Sequence, residues 1–583
     1  MKVDDYIGVV GGGRLPGETT IARRIGEQLV EQDLLDTEKV EQAQHRARWL
    51  KEPFDRLLIR DGLVEEGAVL DLLAQVTGIP VVSMARVEPE EQAVKTVSVR
   101  VIASYRVVPV RLYGGAITLA TDSVAELARE EELRVVLGHS IRWVLCRSHE
   151  ITECIKHYYG VGIHALAGQD PGGQPAASGR TGAEHESRDI TAFVNAIIED
   201  AVASEATDIH FEPSETGLRL RYRIDGVMAS VPLPQGAEGF ARAIVSSIKV
   251  MAQLNIAEKR LPQDGRFGFD VDGRALDIRV SVLPAEHGEA ANLRILNRES
   301  SFLKLDQLGY SPEQLETIED LITAPHGIML YTGATGSGKT TSLYASLSRI
   351  NTDERKIITI EDPVEYRMPG VTQLQVNTDI DFTFASGLRS VLRHDPDVVL
   401  IGEIRDEETA RIATSAAMTG HLVFSTLHTN DSASAATRLI EMGVPPYLVA
   451  SSVEGIIAQQ LVRRVCPSCR AAVSVEKPLI EQMVRSIGEK VREATIYKGT
   501  GCPDCRFTGY HGRIGLFEMI VMNDMLRGLI VERAPSGRLM ESAVESTGLL
   551  TLRQCGWLRV LAGETSIDEV LRVTAGPGRH WRG

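Results

Sequence analysis

Residues 327–347, GIMLYTGATGSGKTTSLYASL, put a short apolar run before a glycine-rich loop and a helix-forming run after it. No other stretch constrains the fold as strongly. A buried strand that feeds a loop and then a helix calls for a parallel sheet with helices packed on it, an α/β core. The spacing GxxxxGKT supplies the loop: Gly333, Gly336 and Gly338 let it curl, and backbone N–H groups along Gly333, Ala334, Thr335, Gly336, Ser337, Gly338 and Thr341 turn toward an anion. Lys339 can place a point charge on terminal phosphates, and Thr340 can offer a hydroxyl to Mg²⁺. Such a loop is a cradle for a nucleoside triphosphate.

Two further apolar runs end in acids. PDVVLIGEIRDEETA (396–410) reads as a buried strand followed by Gly402 and Glu403, which makes Glu403 a candidate for positioning the metal or activating water. ITIEDPVEY (358–366) stops at Glu361-Asp362-Pro363, and Glu361 is a second candidate acid. In TGHLVFSTLHTND (419–431), His421 and His428 stand at opposite ends of one apolar strand, a pair expected to sense phosphate.

CPSC (466–469) and CPDC (502–505) pair two CxxC turns. Each turn aims two sulfurs at one point, so Cys466, Cys469, Cys502 and Cys505 predict a structural zinc site with every position filled by protein. Redox dithiols are the alternative, without the βαβ context that would favour them. Cys146, Cys154 and Cys555 read as isolated thiols.

Residues 25–44 and 54–75 align at an offset of 29, with Leu29 on Leu58, Leu35 on Val64 and Val40 on Val69. Each unit reads as helix, turn, helix, with caps at Asp36 and Glu65. A hairpin is expected at 106–122, about Gly114-Gly115. The early GGGRLPGE (11–18) lacks a following Lys-Thr and reads as a mobile end. Residues 167–187, rich in Gly, Pro, Ser and Ala, read as a flexible linker. A helix is expected over 189–206, with strands over 218–228 and 274–283. The organisation so predicted is an N-terminal, mainly helical module at 1–160, a linker at 161–188, a smaller α/β domain at 189–310 and a P-loop core at 311–583, with the cysteine subdomain near 460–515.

The 583 residues carry 63 basic and 79 acidic side chains, a net charge of −16, which argues against a broad nucleic-acid surface. The first residues, MKVDDYIGVV, are acidic where a secretory signal is basic, and no apolar run reaches the length of a membrane span.

The four blocks GATGSGKT, ITIEDPVEY, DPDVVLIGEIRD and TGHLVFSTLHTND, in that order, resemble the ATPases that power type II secretion and type IV pilus assembly. The likeness runs from about 190 to 575 and includes ATDIHFEP (206–213), AEKRLPQDGRF (257–267) and GCPDCRFTGYHGRIGLFEM (501–519). It implies a RecA-like core preceded by a PAS-like domain, a homohexameric ring, ATP with Mg²⁺ and Zn²⁺ as cofactors, and hydrolysis between the core and the preceding domain. Arg221 and Arg223 match the family's RxRxDG stretch, a source of arginines for the phosphates; Arg389, Arg393 and Arg405 match too, or else pair with Asp395, Asp397 or Asp406. The expected partners are an inner-membrane platform protein and the cytoplasmic domain of a membrane-anchored assembly protein, which puts the chain on the cytoplasmic face of a bacterial inner membrane.

The N-terminal repeat is similar to a module that binds cyclic di-GMP in some of these ATPases. Arg24-Ile25-Gly26 fits its opening, but Asp33 stands for a Gly, and Pro53 and Asp55 stand for Arg and Gly. Docking is therefore expected of it rather than dinucleotide binding. A nucleic-acid translocase and a nucleotide-gated scaffold are the competing readings.

Overall fold

The computed structural model describes residues 17–166, 181–297 and 303–574; residues 11–16 of the early glycine-rich stretch and most of the expected linker lie outside the described residues. The chain divides into two compact units: Met1–Leu296 with Cys466–Cys469 and Gly499–Gly509, and Asn297–Val465 with Arg470–Lys498 and Tyr510–Gly583.

The first unit opens with the repeat. Helices α1 (Glu18–Glu31), α2 (Thr37–Leu50), α3 (Phe54–Arg60) and α4 (Glu66–Thr77) form two helical pairs. Leu29, Leu58, Val40 and Val69 are buried in one core, as their matched positions require. The 29-residue offset reaches the hydrogen bonds. Asp33 N donates to Val30 O and Leu34 N to Leu29 O; Gly62 N donates to Ile59 O and Leu63 N to Leu58 O. Both are the paired bonds that close a helix through one left-handed residue. Asp33 has φ +55° and Gly62 φ +64°. Asp is one of the few side chains that tolerate this region, so Asp33 keeps the turn that a glycine would make. Asp36 caps α2 by accepting from Lys39 N at 2.8 Å; Glu65 occupies the matching cap position of α4 without a side-chain bond.

The hairpin forms β1 (Val108–Tyr113) and β2 (Ala116–Thr121), with β3 (Ser140–Leu145) parallel to β2. A helix at Ser148–Tyr159 follows. A short helix, Ile163–Leu166, comes next, and the helix Thr181–Ala203 starts eight residues before the expected 189, so both ends of the predicted 161–188 linker are helical. Strands β4 (Ala206–Ser214), β5 (Gly217–Ile224), β6 (Val227–Val231), β7 (Gln263–Val271), β8 (Arg274–Ala285) and β9 (Gly288–Asn297) form a sheet in the order β6-β5-β4-β9-β8-β7. Asp225-Gly226, both with positive φ, break the run expected at 218–228 into two strands.

The second unit holds β10 (Gly327–Thr332), β11 (Ile357–Glu361), β12 (Thr372–Gln375), β13 (Val398–Ile401), β14 (Leu422–Leu427), β15 (Val453–Val465), the short β16 (Arg470–Ala472) and β17 (Tyr497–Gly499), and β18 (Tyr510–Val521). Seven of them make one sheet, β12-β11-β13-β14-β10-β15-β18. Every pairing in it is parallel except β15 with β18. β10, β13 and β14 are buried at every position, which is why they read as unbroken apolar runs rather than alternating ones. Among the described residues no helix is long and apolar enough to cross a membrane.

Candidate nucleotide site and cysteine cluster

In a parallel sheet, loops that leave the carboxyl ends of neighbouring strands share one edge. The register puts Thr332 of β10 opposite Leu427 of β14, Ser425 of β14 opposite Ile401 of β13, and Ile401 opposite Ile360 of β11. The glycine-rich loop, His428, Glu403 and Glu361 therefore emerge along the same edge. Thr332 binds the loop after β14, with its Oγ1 2.7 Å from Thr429 Oγ1.

The loop is tight where its glycines predict. Gly333, Gly336 and Gly338 have φ of +145°, +80° and +88°. A β-carbon on Gly333 would meet Ser337 Oγ at 2.7 Å and the carbonyl of Gln459; one on Gly338 would meet Gln459 Nε2 at 2.8 Å. Gln459, in the middle of β15, is the floor of the loop. Lys339 begins the helix Lys339–Ile350 and folds back over the loop, with Nζ donating to Gly333 O at 2.7 Å and Ala334 O at 3.0 Å. Burial holds its ammonium below the usual lysine range, against the opposing pull of Glu403. Thr340 is exposed and Thr341 half-buried at the start of that helix, where backbone N–H groups lack intrahelical acceptors. Ser337 Oγ and Gln459 Oε1 are buried without a hydrogen-bond partner. The free Ser337 hydroxyl, a cationic Nζ and a helix start at one loop are the donor set that a polyphosphate fits, while Gln459 Oε1 can only accept.

Glu361 is 4% exposed. Thr359 Oγ1 donates to its Oε1 at 2.5 Å, Gln373 Nε2 to the same oxygen at 3.2 Å, and Tyr344 Oη to Oε2. Glu403 carries an ion pair with Arg405, and its Oε2 lies 3.1 Å from His428 Nε2. His421 is elsewhere. It precedes β14 at the amino end, its carbonyl accepts from Gly327 N at the start of β10, and its Nδ1 lies 3.0 Å from Ala416 O. Six strand residues, about 20 Å at 3.3 Å each, separate it from the loop edge, so it joins the sheet's far end and not the phosphate loop.

The arginines are engaged locally. Arg221 pairs with Glu212; Arg223 donates to Gly226 O at 3.1 Å and lies 3.7 Å from Asp208. Arg389 pairs with Glu408 and Arg393 donates to Arg389 O at 2.7 Å. Arg405 pairs with Glu403, so Asp395, Asp397 and Asp406 are not the partners of these three. Asp397 instead accepts from Lys356 N, and Asp406 caps the helix Glu407–Met418.

The four cysteines converge. Their sulfurs lie within 4.8 Å of one another, with Cys466–Cys502 and Cys469–Cys505 at 3.8 Å and Cys502–Cys505 at 3.7 Å. A zinc–thiolate bond of about 2.3 Å gives a tetrahedral edge of about 3.8 Å, so the cage fits that ion. Gly501 N and Gly509 N donate to Cys469 and Cys505 sulfurs at 3.3 and 3.2 Å, as bonds that steady thiolates do.

The model of the type II/IV secretion system protein family matches residues 183–572. The chain belongs to that family. A secretion-system protein of Pseudomonas aeruginosa, HxcR, is 48% identical over 385 residues, which is 66% of this chain and 77% of that one. The type IV pilus assembly ATPase PilB of Myxococcus xanthus is 37% identical over 566 residues, 95% of this chain and 99% of its own. Among solved structures, the pilus retraction motor PilT with bound ADP is 25% identical, covers 66% of this chain and 97% of that one, and has a TM-score of 0.43. The MshEN domain model matches residues 77–165, directly after the repeat. As a member of the secretion and pilus-assembly ATPases, the chain is an enzyme of ATP hydrolysis, and the family implies ATP and Mg²⁺.

Sequence reasoning missed Gln459, Tyr344, Thr359 and Gln373. Gln459 had a signal, a polar residue inside the apolar run of β15. Thr359 had one too, since i and i+2 share a strand face; Tyr344 and Gln373 had none, because only the folded core brings them to Glu361.

Proposed function

We propose that this chain is the motor subunit of a machine that assembles a pilus or a secretion pseudopilus. It works as a homohexamer on the cytoplasmic face of a bacterial inner membrane and pushes on a membrane-embedded platform protein and the cytoplasmic domain of an anchored assembly protein. The observation that carries the reading is the single sheet edge shared by the phosphate loop, Glu361, Glu403 and His428. The loop glycines and Lys339 bind the phosphates of ATP, and Thr340 would hold Mg²⁺, which when bound would neutralise the charge on the phosphoanhydride. Glu361, fixed by three donors, takes the proton of the attacking water, while Glu403, held by His428 and Arg405, sits second to it. Arg221 and Arg223 are the arginines proposed to neutralise charge on the phosphates.

The cysteine cage holds one structural Zn²⁺ per chain. The repeat and the MshEN domain dock the motor to its platform; the departures at Pro53 and Asp55 count against cyclic di-GMP. Asp55 is fully buried and accepts from Val124 N at 3.0 Å, so it cannot be turned toward a ligand without breaking that bond. The net charge of −16 counts against a nucleic-acid track.

The decisive experiment is steady-state ATP hydrolysis by the purified full chain with Mg²⁺. Turnover that Lys339→Ala abolishes is expected. A folded hexamer that binds ATP and never hydrolyses it would leave a nucleotide-gated scaffold instead.

A further inference from the structure

The cysteine segments lie between β15 and β18 in the chain, yet they belong to the same compact unit as the N-terminal module. The reason is a set of side chains that the cage turns outward. Arg506 and Phe507 follow the last cysteine, both in the left-handed region with φ of +50° and +62°. Two such residues in succession are costly for side chains with a β-carbon. Arg506 N to Pro503 O, Phe507 N to Cys502 O and Thr508 N to Cys505 O hold them there.

Each displayed group meets a counterpart. The Phe507 ring stacks on His157 with centroids 3.9 Å apart and meets Tyr158 edge-on at 6.3 Å, both on the helix Ser148–Tyr159. Phe507 also packs against the N-terminal core itself. Arg506 donates to Ala203 O and, at 3.4 Å, to Ser204 O, at the C-terminal end of the helix Thr181–Ala203; a cation is favoured there because those carbonyls lack intrahelical donors. Its Nε also lies 3.8 Å from Glu153. Asp504 lies 3.9 Å from His149, and Ala85 packs against the four cysteines. Arg and Phe are both among the residue types enriched at packed interfaces.

We propose that the cysteine knuckle is a metal-dependent clasp: its Asp504, Arg506 and Phe507 dock on the helix Ser148–Tyr159 and on the end of the helix Thr181–Ala203, and thereby lock the N-terminal module to the α/β domain. Zinc acts here through the chain's own residues, by fixing the turn that aims Arg506 and Phe507. Without the metal the turn loosens and the docked faces part. The proposal rests on the cage reading above, not on hydrolysis.

The test is hydrogen exchange on the zinc-loaded full chain, with zinc content measured beside it. Phe507→Ala should retain zinc and raise exchange over residues 148–159 about tenfold. His157→Ala, on the opposite face, should raise exchange over residues 502–509 by a similar factor and also retain zinc. Chelation of zinc should raise both. If Phe507→Ala disturbs the cage and loses zinc, His157→Ala decides the question. Unchanged protection on the face opposite a zinc-retaining variant overturns the clasp. Chelation that loosens 502–509 but leaves 148–159 protected overturns its metal dependence. A chain that purifies without zinc but turns over ATP would sink the cage and leave the motor standing.

Discussion

Tyr344 donates its hydroxyl to the carboxylate of Glu361, tying the helix that leaves the phosphate loop to the end of β11, with β14 and β13 between that strand and β10. The bond joins the element that grips phosphate to the acid assigned to water. Tyr344→Phe should therefore lower kcat about tenfold with little change in KM for ATP, and Glu361→Gln should lower it about a hundredfold or more. A purely structural tyrosine would lower the thermal midpoint and leave kcat intact at low temperature.

Gly333 and Gly336 differ in what surrounds them. Gly333→Ala meets Ser337 and Gln459, whereas a β-carbon on Gly336 meets nothing within 4 Å and suffers only its positive φ. Nucleotide binding, measured by calorimetry, should be lost in Gly333→Ala and weakened less than about tenfold in Gly336→Ala, a cost of about 1 kcal/mol. Equal losses would contradict the floor formed by Gln459.

Glu569 is the acid whose titration stability should follow. Burial alone would raise its pKa, but hydrogen bonds from Arg572 and Arg463 outweigh burial and bring it to about 2. A depressed folded-state pKa means that the stabilisation is complete above the unfolded value near 4.5 and fades as pH falls toward about 2. The contribution is about 3 kcal/mol at neutral pH. Urea midpoints should fall between pH 5 and 3 in the parent chain, and this part of the fall should vanish in Glu569→Gln, which starts lower. An identical acid slope in both would refute the assignment.

The two turns of the repeat give a matched pair. Gly62→Ala adds no clash and should cost about 1 kcal/mol through its φ of +64° alone. Asp33→Gly removes a tolerated left-handed side chain and should shift the thermal midpoint of the N-terminal module far less. A large loss in Asp33→Gly would mean that its carboxylate does something the turn does not require.

Much of the chain was legible without coordinates. The loop glycines, the paired CxxC turns and the repeat each state a backbone requirement within a few residues, and local chemistry is what sequence spells out. Asp33 departs from the pattern in identity yet keeps the backbone conformation that a glycine would take there, which spacing alone does not reveal. His421 and His428 looked equivalent because a strand's two ends look alike until its direction in a sheet is known. Pairing with acids nearby in sequence is the alternative that local spacing offers for the arginines, yet Arg389 pairs with Glu408 on a neighbouring helix.

The amino-acid sequence by itself determined that a phosphate loop follows a buried strand, that four thiolates face one point, and that two helical pairs repeat. Only the tertiary structure decided which acid Tyr344 holds, which histidine reaches the loop edge, and which helices receive Arg506 and Phe507. The physical reason is reach. Turns and caps are closed by neighbours along the chain, whereas strand order and docking bring together residues separated by up to hundreds of positions, whose pairing no local pattern encodes.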